Sequence, residues 1–280
     1  MRSVIGWVQA THPFPLIAVV GLTALIGVSS AGDELGAELL ARVVGAMFFA
    51  QLVIGWTNDY VDRDADARFQ PSKPIPSGSV DARLVPFAAA IAGILAVGIA
   101  ATLGWLPAVC AALGIGSGLA YNFALKPTPW SWAPFVVAFC VLPPFVWSGL
   151  EVWHGAFAAL YPIALPLTVA AHLANALPDI ETDRESGRSS VVVRLGRKGT
   201  LRALAMALVA PVGLVLLSSA FVSYEGIVLL ATVVLYAKLL ALTWFAYGVG
   251  GGKRGNDVWG FRLVVAASLV FVTGWLLSVK

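Results

Sequence analysis

Charge is what this sequence has least of. Only 12% of its 280 residues are Asp, Glu, Lys or Arg, against about 25% in an average globular chain. With 59% hydrophobic residues and a mean hydropathy of +0.86, too few charges remain to cover a water-facing surface. That excludes a water-soluble enzyme, a disordered chain and a coiled coil. It argues against a nucleic-acid partner too, because the 18 basic residues behind the pI near 9.0 are offset by 15 acidic ones. Cysteine is also scarce. Cys110 and Cys140 both fall inside apolar runs, with no spacing that suggests a metal site or a disulfide framework. The runs are continuous, so the alternation of a membrane β-barrel is missing. So is the pattern of a cleavable signal peptide: the first run is long, little positive charge precedes it, and it lacks a small-x-small exit.

What is present is a series of long apolar runs. A helix that spans a bilayer needs about 20 residues. Nine candidates fit, near 13–31, 37–57, 84–103, 105–125, 131–149, 155–177, 201–221, 226–247 and 259–278. The expected fold class is an all-α polytopic membrane protein, an integral protein of the inner or plasma membrane if the source is bacterial. With nine spans, 15 of the 18 basic residues fall on one side. Arg63, Arg68, Lys73 and Arg83 follow span two. Arg184, Arg188, Arg194, Arg197, Lys198 and Arg202 follow span six. Arg2, Lys126, Lys253, Arg254 and Arg262 complete the set. Arg42 and Lys280 fall opposite, beside short, mildly acidic loops with Asp33, Glu34, Glu38, Glu151 and Glu225. Lys and Arg accumulate on the cytoplasmic side, so the N-terminus and the two long connections, about 58–83 and 178–200, are expected there.

Each long connection opens on a polar cluster. The first reads Asn58-Asp59-Tyr60-Val61-Asp62-Arg63-Asp64-Ala65-Asp66. The second reads Asn175-Ala176-Leu177-Pro178-Asp179-Ile180-Glu181-Thr182-Asp183. Both fit N-x-x-x-D-x-x-x-D, and together with Glu185 they hold eight of the 15 acids. Residues four apart stand one turn above each other on a helix. Each cluster therefore sets one carboxamide and two carboxylates on one face. Carboxylates packed this closely repel one another, and a hard cation with oxygen ligands relieves the repulsion. Where phosphate is present the usual cation is Mg²⁺. Two such faces opposing each other would hold two or three Mg²⁺ ions around a diphosphate, with Arg and Lys on its oxygens.

At these residues the chain resembles a known family. Asn58 to Asp66, followed by Lys73-Pro74-Ile75-Pro76-Ser77-Gly78, looks like the first signature of the UbiA-type intramembrane prenyltransferases. Asp179 to Gly196, with Asp183-Arg184 and Val193-Arg194-Leu195-Gly196, looks like the second. The resemblance implies one domain over 1–280, nine transmembrane helices bundled around a central cavity, and an active site at the cytoplasmic side. It implies that Asn58, Asp62, Asp66, Asp179 and Asp183 bind Mg²⁺, with Asn175 matched by internal symmetry. Arg63, Lys73 and Arg184 are then candidate diphosphate contacts. Family members often carry Y-x-x-x-K at the end of span four. Here Tyr121 and Lys126 are one residue further apart.

The implied chemistry is Mg²⁺-dependent transfer of a prenyl group from a prenyl diphosphate to a hydrophobic acceptor within the membrane. Two alternatives stay open: a terpene cyclase using the same diphosphate site, and a divalent-cation or small-molecule transporter. Quinone, pigment and lipid precursors all remain as acceptors. Weaker signals are His172 on the face of Asn175, the intramembrane Lys238, Trp56 before the first motif, and the connector Gly250-Gly251-Gly252.

Overall fold

Helices follow from these apolar runs because a chain in hydrocarbon must satisfy its backbone internally. The computed structural model describes residues 2–32, 35–153, 158–249 and 254–279. Asp33, Glu34, the Gly250-Gly251-Gly252 connector, Lys253 and Lys280 lie outside them. Among the described residues the regular structure is helical, with one isolated antiparallel bridge between Tyr224 and Val279. Two compact units divide the chain: 1–126 with 140–152, and 127–139 with 153–280.

The first unit holds α1 (Arg2–Ala10), α2 (Pro13–Ala31), α3 (Ala37–Phe69), α4 (Val85–Ala101) and α5 (Trp105–Ala120). A π-helical turn, Tyr121–Leu125, extends α5. Small residues on α4 (Ala89, Ala92 and Ala96) pack with Ala50, Leu52 and Val53 of α3. Such faces let helix backbones approach where lipid removes the hydrophobic drive between helices. α1 was not among the expected elements, being far too short to span. It docks on α3 through Trp7, whose carbonyl accepts from Trp56 Nε1 at 3.3 Å and whose ring stands edge-on to Trp56. Trp56 is thus held by the protein's own N-terminal helix.

α6 (Ala133–Gly149) gives its first half to the second unit and its second half to the first. The second unit continues with α7 (Leu160–Ala176), a 3₁₀ turn (Leu177–Asp179), α8 (Ile180–Glu185), α9 (Val191–Ser218), α10 (Gly226–Val249) and α11 (Arg254–Ser278). Tyr236 of α10 donates to the Leu208 carbonyl of α9 at 2.6 Å. Arg197 of α9 grips Asp257 of α11 through both terminal nitrogens, at 2.7 and 2.8 Å.

Seven described helices are long and apolar enough to cross a membrane, and two shorter apolar helices, Val85–Ala101 and Ala133–Gly149, have 17 residues each. Bulky apolar side chains on their outer faces are exposed, including Phe87, Ile94, Leu216, Leu217 and Ile227. Hydrocarbon, not water, suits such surfaces. The main departure from the expected boundaries is helix length. α3 has 33 residues, about 50 Å at 1.5 Å per residue. It runs 12 residues beyond its apolar stretch, so the whole first motif stands on the same helix as the span before it. α9 likewise begins at Val191, inside the expected second connection. Lys238 is exposed on α10.

Candidate active site

The first cluster is built on the polar end of α3. Asp59, Asp62 and Asp66 are spaced three and four apart, which places them on one stripe. All three are buried, at 3%, 7% and 5% exposure. Buried carboxylates require cations or hydrogen bonds, and three separate segments supply them. Lys73 reaches back from the connection after α3 to Asp66 Oδ2 at 2.8 Å and to Asp59 Oδ1 at 3.4 Å. Lys126, at the end of the π turn, pairs with Asp62. His12, between α1 and α2, places Nε2 2.9 Å from Asp59 Oδ1. The Lys-Pro-Ile-Pro-Ser-Gly run holds Lys73 by turns: the Ser77 amide donates to the Lys73 carbonyl and the Val80 amide to the Pro74 carbonyl, each at 3.0 Å.

The structure brings Asp62, Asp66, Lys73 and Lys126 together. It adds Asp59 and His12, which sequence reasoning left out of the site. Asp59 carried a readable signal, since it precedes Asp62 by three and Asp66 by seven. His12 carried a weaker one, its place at the same end of the first span. Asn58 donates from Nδ2 to Asn122 Oδ1 at 3.0 Å. Asn122 was also missed, and no charge or spacing marked it. Arg63 turns away from the stripe. It bonds the Tyr60 carbonyl at 2.7 Å, lies over the Tyr60 ring at 4.5 Å and faces the exposed Asp64 at 3.8 Å.

The π turn explains Tyr121 and Lys126. On an α-helix, positions five apart point about 140° from each other. Here the Lys126 amide bonds the Tyr121 carbonyl at 2.9 Å, an i to i+5 closure. That closure absorbs the extra residue and sets Lys126 Nζ 6.0 Å from the Tyr121 ring centre. The longer spacing is thus compatible with a shared face. Single π turns of this kind frequently mark functional sites.

The second cluster differs from the expected continuous face. Asn175 lies in the last turn of α7, Asp179 closes the 3₁₀ turn and Asp183 lies in α8. Pro178 is the physical reason: it has no amide to donate into a regular helix and restricts the residue before it. Asn175 and Asp179 are half-buried and Asp183 is buried. Arg188, not Arg184, is the cation at Asp183, with Nη1 3.0 Å from Oδ1. Arg184 faces the exposed Glu181 at 3.0 Å. The turn after α8 accounts for the exchange. Gly187 adopts φ +72, and the Gly187 and Arg188 amides bond the Arg184 and Asp183 carbonyls at 3.1 and 2.9 Å. This is a Schellman closure, which favours glycine at the left-handed position. It swings Arg188 back over Asp183.

His172 is fully buried, with Nε2 3.2 Å from Ser131 Oγ and the ring 4.8 Å from that of Phe135. It is a packed helix histidine. Beside it, Trp132, Val169, Leu173, Val191, Leu195 and Ala203 line an apolar pocket of about 350 Å³.

Among the described residues no three His, Cys, Asp or Glu side chains lie close enough to cage a metal by themselves. Mg²⁺ seldom needs such a cage. It takes one or two carboxylates and completes its shell with phosphate and water. The donor set of carboxylate and carboxamide oxygens suits that ion and not a soft metal.

The sequence profile of the UbiA prenyltransferase family matches residues 7–277. A digeranylgeranylglyceryl phosphate synthase of Natronomonas pharaonis is 28% identical over 278 residues, covering 99% of each chain. The 33 kDa chain of bacteriochlorophyll synthase from Cereibacter sphaeroides is 28% identical over 206 residues, 70% of this chain and 67% of that one. Among solved structures, a UbiA homologue from Archaeoglobus fulgidus bound to DMAPP and Mg²⁺ superposes with a TM-score of 0.75. It is 15% identical and covers 95% of this chain and 98% of its own. An all-α membrane fold, ionic residues gathered on two signatures and a profile match over nearly the whole length agree: the chain belongs to the UbiA prenyltransferase family.

Proposed function

We propose that this chain transfers a prenyl group from a prenyl diphosphate to a hydrophobic acceptor, in a Mg²⁺-dependent reaction on its cytoplasmic side. The observation that carries this reading is the buried stripe Asp59, Asp62 and Asp66, with Lys73 and Lys126 laid against it. A stripe of three carboxylates is expensive to bury for structural reasons alone. As a site for a polyanion with its cations, it has a clear use. Asn58, Asp62 and Asp66 would hold Mg²⁺, and Asp179 and Asp183 would supply further ligands. When bound, Mg²⁺ would neutralise the leaving diphosphate as charge builds on it.

The remaining roles belong to the chain. Lys73 and Lys126 pair with the carboxylates and would contact diphosphate oxygens when substrate binds. The allylic C–O bond breaks, the diphosphate leaves with the electron pair, and these ammonium groups stabilise it. The acceptor's nucleophilic atom closes the new bond at carbon and releases its proton. Tyr121 presents an aromatic ring beside Lys126. Apolar helix surroundings keep water from the cation. Residues 1–280 act as one functional module, and the skew of Lys and Arg supports the orientation.

The test is turnover in lipid nanodiscs with Mg²⁺ and geranylgeranyl diphosphate. A hydroxybenzoate-type ring, a chlorin and a glycerol lipid are offered separately. Pyrophosphate is expected to appear only with a matching acceptor, together with an acceptor heavier by one prenyl group. A cyclic hydrocarbon or alcohol formed without any acceptor would replace transfer with cyclisation. Metal uptake into sealed vesicles without turnover would replace it with transport.

A further inference from the structure

The π turn after α5 places one uncharged side chain where only an amide fits. Asn122 is 3% exposed. Its Nδ2 donates to the Ile54 carbonyl at 3.0 Å and to Thr57 Oγ1 at 2.9 Å. The Ile54 carbonyl can only accept. Thr57 places its own hydroxyl proton on the Val53 carbonyl at 2.7 Å, so its oxygen is left to accept. The amide of Asn122 therefore has one orientation, nitrogen toward α3 at Ile54 and Thr57. Its Oδ1 is consequently fixed as an acceptor, and it receives Nδ2 of Asn58 at 3.0 Å.

That settles which end of Asn58 faces outward. A free asparagine presents oxygen or nitrogen equally well, because the two ends are nearly the same shape. Only oxygen binds a hard cation. With Nδ2 of Asn58 committed to Asn122, Oδ1 is the atom presented on the other side. We infer that Asn122 is a positioning residue that orients the Asn58 carboxamide with its oxygen toward the metal. The inference rests on the reading of Asn58 as a Mg²⁺ ligand.

The local structure is arranged for this contact. One turn before Asn122, Gly118 lets α5 approach α3, since a Cβ there would lie 2.6 Å from Ile54 Cγ1. The π turn then re-phases the chain. It sends Asn122 inward to Asn58 and Thr57, and Lys126 to Asp62. One backbone irregularity thus serves two neighbouring positions of the first motif. Groups that orient metal ligands typically change affinity by about 10–100-fold when removed.

The test uses Mn²⁺ alone, titrated into the full-length protein, with free Mn²⁺ followed by electron paramagnetic resonance. Asn122→Leu is expected to bind Mn²⁺ about tenfold more weakly. Asn58→Asp adds a negative charge, which ordinarily tightens cation binding. Here it is expected to weaken binding, because the introduced carboxylate meets Asn122 Oδ1 and Asn122 cannot turn. Combining Asn58→Asp with Asn122→Leu is expected to return affinity to within about threefold of the unaltered protein, since a carboxylate offers oxygen from either end. A purely structural Asn122 gives no such reversal.

Wild-type affinity in Asn122→Leu overturns the inference, and so does a double variant as weak as Asn122→Leu alone. If Asn122→Leu does not fold, Asn58→Asp decides by itself: equal or tighter binding overturns the inference. Asn58→Leu separates the two levels. Undiminished Mn²⁺ binding there removes Asn58 from the metal site altogether. Lost binding there, with Asn122→Leu unaffected, removes only the role of Asn122.

Discussion

Asp62→Asn lowers prenyl transfer by about a thousandfold and leaves the protein folded. Asp62 sits at the centre of the buried stripe and pairs with Lys126. The exchange keeps the shape of the side chain and one acceptor oxygen, so α3 and the Lys126 contact have a partner. What disappears is the negative charge that, in the proposed function, draws a divalent cation to the diphosphate. Single electrostatic groups aimed at a developing negative charge contribute about 10²–10³ in turnover. A metal's share amounts to several kcal/mol. The check is a rate of product formation at saturating prenyl diphosphate, beside a thermal melt in the same detergent. A variant that turns over within a few-fold of the unaltered protein would remove Asp62 from the chemistry.

The second large effect is on stability. Asp257→Ala is expected to destabilise the protein by about 3 kcal/mol, because breaking a buried pair leaves one charge uncompensated. Asp257 is 2% exposed, and Arg197 binds it at 2.7 and 2.8 Å in a fork that only a carboxylate matches. The fork fastens the start of α9 to the first turn of α11. At this chain length, 3 kcal/mol corresponds to a fall of roughly 8 °C in Tm. The comparison is a melt of Asp257→Ala against Asp257→Asn, which keeps hydrogen bonding and should lose less. Equal Tm in all three proteins would mean the fork contributes nothing.

The sequence was most legible where chemistry and periodicity coincide. Scarce charge located the apolar spans, and spacing of four put Asn58, Asp62 and Asp66 on one face of α3. Lys73 was legible as a base following the acidic motif, and Lys126 only through the family's tyrosine–lysine pattern at the end of span four. A hydropathy window sees only the apolar part of a helix. It therefore stopped α3 at 57 although the backbone continues to Phe69. The pairing of His12 with Asp59 joins residues 47 apart, and no local pattern encodes it. Asn122 depends on a π turn, and the preference for Arg188 over Arg184 depends on a left-handed glycine. Both are backbone events that redirect a side chain. The second motif reads as a copy of the first, yet Pro178 spreads it over three elements, the end of α7, a 3₁₀ turn and α8.

The most direct measurement is the affinity of a non-ionising prenyl thiolodiphosphate with and without Mg²⁺, in the unaltered protein and in Asp62→Asn and Asp183→Asn. Binding that requires Mg²⁺ and is lost in both variants is expected if both acidic clusters hold the metal-bound diphosphate. Full-affinity binding without Mg²⁺, or binding untouched by both substitutions, would contradict it.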